Sequence, residues 1–212
     1  MANLFNIDID EIWYEGNEIE LIKLGDYIIY EKESSPLYPL YEKDQFRGNP
    51  DITEVYTTVN KTHTDLNLMF NRCSSLVSVN TQDWDVRNVT TMISMFAFCS
   101  SLISLDLSDW DVDKVQYMSS MFQDCSNLTS LDLSGWNIDK SVSVTSMFYN
   151  CTSLCDLYLN NCNYDTIRNI IKSTYFPTGH IWGKIRTIYC KKSESEDRGL
   201  TAPDNWEFSY ID

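Results

Sequence analysis

Glycine and proline are scarce in this chain, 7 and 5 among 212 residues. That excludes collagen-like and low-complexity chains, which carry those residues in excess. Positive charge is also short: 16 Lys and Arg stand against 31 Asp and Glu, a net charge of −15. A field of that sign repels phosphate backbones and anionic lipid, so neither nucleic acid nor a membrane surface is an expected partner. Histidine is reduced to His63 and His180. Neither sits in a Ser-His or Cys-His arrangement, so nucleophilic catalysis has no support. No P-loop or dinucleotide fingerprint is present, and no cofactor is expected. No apolar run approaches the ~20 residues of a membrane span. The opening Met1-Ala2-Asn3-Leu4-Phe5 lacks a basic cluster and an apolar segment, so no signal peptide is expected.

What is present is a period. Met-Phe recurs at Met69-Phe70, Met95-Phe96, Met121-Phe122 and Met147-Phe148, 26 residues apart each time. Cys73, Cys99, Cys125 and Cys151 keep the same beat, as do Leu76, Leu102, Leu128 and Leu154. Trp84, Trp110 and Trp136 follow it, with Cys162 on the fourth beat. A fixed period of this length marks a stacked repeat array. With 43% hydrophobic residues a sizeable core is available. The four periodic cysteines read as small buried thiols, since their spacing is not that of metal ligands. Cys155, Cys162 and Cys190 fall outside that column and are expected to be partly exposed. No metal site is expected from them. The tryptophans read as cover for the core edge, each indole N–H reaching a carbonyl.

Within one unit, Val89, Met92, Met95-Phe96 and Cys99 fall at spacings of three and four, which predicts one face of a short helix. Leu105 and Leu107 alternate, which predicts a strand with one buried face. Each rung is therefore expected to be one strand plus one short helix, in an α/β fold whose apolar faces are covered only by stacking. The outward positions then form columns about 4.8 Å apart per step. They are Ser78, Ser104, Ser130, Asp156; then Asn80, Asp106, Asp132, Tyr158; then Gln82, Ser108, Ser134, Asn160.

The ends are degenerate, as capping rungs are. His63 stands where Val89 does later, Val144 replaces Met118, and Tyr158 replaces Asp132. Four segments are expected: a β anchoring segment at 1–33, a packed linker at 34–52, the repeats at 53–163 and a mixed cap at 164–212. In the cap, Tyr164 to Ser173 predicts a helix, Lys184 to Tyr189 a strand, Lys191 to Arg198 a charged loop, and Asp204 to Ile211 a terminal strand closing the open end. In the N-terminal segment, Ile7 to Tyr14 and Ile19 to Glu31 read as strands punctuated by Gly16-Asn17 and Gly25-Asp26.

Two resemblances rest on particular residues. The run Met118-Ser119-Ser120-Met121-Phe122-Gln123-Asp124-Cys125-Ser126-Asn127-Leu128-Thr129-Ser130-Leu131-Asp132-Leu133-Ser134-Gly135-Trp136 resembles the BspA-type leucine-rich repeat of surface proteins, the DUF285 family, over roughly residues 62 to 160. That resemblance implies a right-handed solenoid and a role in adhesion or display, with no catalytic residues. The segment Ile12 to Glu31, with Gly16-Asn17 and Leu24-Gly25-Asp26-Tyr27-Ile28-Ile29-Tyr30, is similar to a module at the start of many tailed-phage structural proteins. It implies anchoring to other virion proteins, for which Trp13, Tyr14, Tyr27 and Tyr30 are the candidate residues.

The candidate binding residues are Ser104, Asp106, Ser108, Ser130, Asp132, Ser134 and Tyr158 on the outward strand face. Asp106 and Asp132 are expected to be direct neighbours, repelling by about 0.5 kcal/mol unless something bridges them. Their functional reading is a cation site or a patch for sugar hydroxyls; the plainer reading is a solvated face. Two like carboxylates without a cleft or asymmetry do not make an acid–base pair. Combined, these readings predict a non-enzymatic bacteriophage virion protein in an oligomeric assembly, touching host-surface glycan or protein through its repeat face. The alternative is a bacterial surface adhesin or interaction module.

Overall fold

The computed structural model describes the strands within residues 3–31 and Ser173 as backbone, and residues 45–55, 57–138, 141–172 and 186–210 in full. The expected linker at 34–52 and His180 lie largely or wholly outside the described residues. The N-terminal strands are β1 (Asn3–Leu4), β2 (Ile7–Asp8), β3 (Glu11–Glu15), β4 (Glu18–Leu24) and β5 (Tyr27–Glu31). β1 and β2 pair antiparallel, and β3-β4-β5 form an antiparallel sheet in which Glu15 faces Glu18 and Leu24 faces Tyr27. The expected turn positions 16–17 and 25–26 lie outside the described residues.

The repeats supply short parallel strands: β6 (Glu54–Val55), β7 (Ser78–Val79), β8 (Ser104–Asp106), β9 (Ser130–Asp132) and β10 (Asp156–Tyr158). A helix α1 (Tyr164–Ser173) and strands β11 (Arg186–Cys190) and β12 (Trp206–Tyr210) follow. β8 through β12 form one open sheet in chain order, each strand parallel to the next. β7 is not part of it; it pairs with β6 in a separate two-stranded sheet. The fold is mixed α/β with parallel sheets, few helices and no closed barrel among the described residues.

The strand half of each rung is as expected, and the helix half is not. Among the described residues, no helix occurs between β7 and β10. The stretch from Met92 to Cys99 is a chain of tight turns. Alternate N–H groups go sideways to the next rung: Met92 N to Tyr117 O (2.8 Å), Ser94 N to Ser119 O (3.0 Å), Phe96 N to Met121 O (2.9 Å) and Phe98 N to Gln123 O (2.8 Å). The N–H groups between them close three-residue turns within the rung, such as Ala97 N to Ser94 O (3.2 Å) and Cys99 N to Phe96 O (3.1 Å). Two left-handed residues per rung prevent a helix: Ser94 and Phe98, then Ser120 and Asp124, then Ser146 and Asn150. Each costs roughly 1–2 kcal/mol in a non-glycine residue. The inter-rung hydrogen bonds and the buried side chains offset that cost.

The periodic residues line the core. Met, Phe, Cys and Leu of every beat are fully buried. The phenyl rings stack in file: Phe46 on Phe70 (5.4 Å), Phe70 on Phe96 (5.3 Å), Phe96 on Phe122 (5.6 Å) and Phe122 on Phe148 (6.1 Å). Each cysteine donates its thiol to the carbonyl of the phenylalanine one rung back: Cys73 to Phe46 (2.9 Å), Cys99 to Phe70 (3.1 Å), Cys125 to Phe96 (3.0 Å) and Cys151 to Phe122 (2.9 Å).

The cap helix spans Tyr164–Ser173 as expected, with Ile167, Ile170 and Ile171 buried. Asn163 caps it, its Oδ1 accepting from Thr166 N at 2.9 Å. The charged stretch after β11 forms two 3₁₀ turns, Lys192–Glu194 and Glu196–Arg198. Cys155, Cys162 and Cys190 are buried, against the expectation of partial exposure. The cap covers them: β11 and β12 add two strands to the sheet beyond β10, so the array continues where the period stops.

Candidate binding face

The outward columns run in the register the period implies. Ser104 pairs with Ser130 and Asp106 with Asp132; Ser130 pairs with Asp156 and Asp132 with Tyr158. β11 extends both columns with Thr187 and Tyr189. Ser104 and Asp106 are exposed; Ser108, Ser130, Asp132, Ser134 and Tyr158 are half-buried.

The acidic column has a structural task. Asn80 Oδ1 accepts from Gln82 N (3.1 Å), Asp106 Oδ1 from Ser108 N (3.0 Å) and Asp132 Oδ1 from Ser134 N (2.8 Å). Each closes an Asx turn that ends its strand. The backbone N–H groups also draw negative charge from the two neighbouring carboxylates. The same device recurs at Asp65, Asp85 and Asp111, whose Oδ1 atoms take the N–H two residues on. Five of the chain's 20 aspartates therefore serve turns.

Tyr158, on the fourth beat, cannot close such a turn. Instead its ring stacks on Tyr189 at 4.4 Å and 9°. The Tyr189 hydroxyl donates to Asp156 Oδ1 at 3.3 Å. Burial, and then the Asp156 charge, push the Tyr189 phenol above its ordinary value. Nothing in the period marks Tyr189 as part of this face, because it follows Tyr158 by 31 residues and not 26. Only the pairing of β11 with β10 brings it there.

Cys73, Cys99, Cys125, Cys151, Cys162 and Cys190 are poor nucleophiles or ligands. Burial pushes Cys73 up to about 11, and Cys151 and Cys162 up to about 12. A thiol held protonated is neither a nucleophile nor a metal ligand. Among the described residues, no three His, Cys, Asp or Glu side chains gather in a way that could hold a metal ion. His63 Nδ1 lies 3.1 Å from both the carbonyl and the side-chain oxygen of Asn60, a local turn contact.

The tryptophan column follows its expected geometry with one exception. Trp84 donates its indole N–H to Thr57 O (2.8 Å) and Trp136 to Leu107 O (2.9 Å). Cys162, on the next beat, donates its thiol to Leu133 O (3.3 Å). Trp110 is 3% exposed, and its Nε1 has no partner among the described residues.

That exception sits beside the break in the sheet. Between β7 and β8 the strand ladder is absent, and the Thr81 hydroxyl takes up the Asp106 carbonyl at 3.0 Å. The later rungs have Leu107, Leu133 and Leu159 where Thr81 stands. The seam opens into a groove of about 460 Å³, lined by Ser78, Asn80, Thr81, Gln82, Ser104, Asp106, Asp109 and Trp110 among others. Ser104 and Asp106 are legible as outward residues of the repeat. The groove itself is not; its one sequence signal is the Leu-to-Thr change at Thr81.

Trp13 and Tyr14 lie on β3, and Tyr27 and Tyr30 on β5. Their side chains fall outside the described residues. Among those residues no helix is long and apolar enough to cross a membrane. A search of curated proteins finds no match. Residues 64–176 match the family described as "Mycoplasma protein of unknown function, DUF285", and because that match spans more than half of the 212 residues, the chain belongs to this family.

Proposed function

We propose that this chain is a non-enzymatic, surface-associated repeat protein that binds through the outward face of its parallel strands. The rungs would stack as a short right-handed solenoid, the hand that parallel strand crossovers overwhelmingly take. One observation carries the reading. The residues that define the repeat are spent in the core, while the outward columns present hydroxyls, amides, carboxylates and the Tyr158–Tyr189 stack. The two neighbouring aspartates are both engaged by backbone N–H groups, which argues against an acid–base pair.

Two surfaces fit this reading. Membership of DUF285, and the BspA-type repeat it resembles, favour a bacterial cell surface. The likeness of residues 12–31 to a phage module favours a virion, anchored through the N-terminal strands and oligomeric on the particle. The residue boundaries 33, 52 and 163 are the corresponding proposed division of labour. Gold-labelled antibody to this chain, applied to intact cells and to purified particles, tests the reading. Label on either surface is expected, and the surface labelled decides between the two. Label confined to the cell interior, with none on particles, sinks it.

A further inference from the structure

We infer that the seam between β7 and β8 is a binding site for a neutral sugar, with Trp110 as its buried hydrogen-bond donor. The inference rests on the reading of the chain as a non-enzymatic binder. It starts from a pattern and its failure. Trp136 and Cys162 each donate to the carbonyl 29 residues earlier. The same offset directs the Trp110 N–H to Thr81, a wall of the groove, where that bond is not made. A buried indole N–H without an acceptor costs about 1–3 kcal/mol. A ligand oxygen entering the seam would remove that cost.

The rest of the lining fits hydroxyls. Asp106 Oδ1 is engaged by Ser108 N, and a carboxylate has further lone pairs to take a hydroxyl proton. Asp109 is exposed at the rim. Asn80 uses its Oδ1 for Gln82 N, which leaves its amide N–H groups to meet a sugar oxygen. Ser78, Ser104 and Gln82 are exposed and can both donate and accept. Two aspartates in the lining, within a chain of net charge −15, discriminate against phosphates, uronic acids and other anions. A volume of about 460 Å³ falls in the range of small-ligand sites, roughly 300–1,000 Å³.

The test titrates the full chain with the methyl glycosides of glucose, galactose, mannose, N-acetylglucosamine and glucuronic acid, followed by calorimetry and by NMR. At least one neutral glycoside is expected to bind and be recovered unchanged, with the glucuronide about 10-fold weaker or worse. Trp110→Phe keeps the ring and removes the N–H, and Asp109→Asn removes an exposed charge; each should weaken binding by about 10-fold. Asp204→Asn, at an exposed position in the C-terminal cap and outside the groove, should leave binding unchanged. The inference is overturned if no neutral glycoside binds, if the glucuronide binds equally well, or if both groove variants bind like the unaltered chain. Asp109→Asn guards against a folding artefact at the buried position. Surface label without glycoside binding rejects the groove alone. If surface label and binding are both absent, both proposals fall. Turnover of the glycoside would reject the non-enzymatic reading on which the inference rests.

Discussion

The seam between β7 and β8 and the seam between β8 and β9 are built from the same repeat and behave differently. In the second, three residue pairs are in register, Leu107 N reaches Asp132 O at 2.9 Å, and Trp136 finds its carbonyl. In the first, the strand ladder is absent and Trp110 finds none among the described residues. The turn side is equally regular in both: Phe70 N to Met95 O is 2.8 Å and Phe96 N to Met121 O is 2.9 Å. The two rungs are therefore hinged together along their turns and open along their strands. A repeat protein can vary one edge of one rung without disturbing the stack, because each rung touches only its neighbours.

The largest effect that would sharpen this comparison is expected in alkali. The repeat thiols are raised in the folded chain, so folding favours their protonated form. Their contribution is intact below the ordinary thiol value of 9.0 and is lost as pH rises through the folded values, about 11 for Cys73 and about 12 for Cys151. Each thiol costs about 1.4 kcal/mol per pH unit in that window. Urea unfolding between pH 8 and 11 should show a steep loss of stability, and Cys125→Ala should make the slope shallower by about one proton. An unchanged slope would mean that the thiols are not protected by the core.

Next in size is the aromatic file. Phe122→Ala, in the regular part of the stack, should cost about 3–5 kcal/mol in denaturant unfolding. Phe46→Ala, at the end of the file and half-buried, should cost clearly less. Equal costs would contradict the view that the outer end is only a cover.

Smaller still is the repair of the seam. Thr81→Leu restores the residue found at Leu107, Leu133 and Leu159 and should raise stability by about 1 kcal/mol. If it destabilises instead, the Thr81 hydroxyl bond to Asp106 O is the better arrangement and the open seam is built in. The finest contrast is between two tryptophans. Trp136→Phe gives up a buried hydrogen bond and leaves the Leu107 carbonyl short of a donor, costing about 1 kcal/mol or more. Trp110→Phe gives up none and should be close to neutral. Matching losses would show that Trp110 is satisfied after all.

Much of the molecule is legible in its amino-acid sequence. The interval of 26 residues places Met95, Phe96, Cys99 and Leu102 in the core and sets Asp106 beside Asp132, because identical rungs stack in register. The cap helix is legible from Ile167, Ile170 and Ile171. The backbone between Val89 and Cys99 is not. Spacings of three and four bring side chains to one side in a helix and equally in consecutive turns, so the pattern does not say where the N–H groups go. The neighbouring rung decides it, by offering carbonyls to every second residue. Tyr189 joins the face only because β11 pairs with β10, a contact outside the period. The groove and the indole left without a partner among the described residues depend on strand separation, which is set by packing across rungs and leaves in the sequence only the Leu-to-Thr change at Thr81.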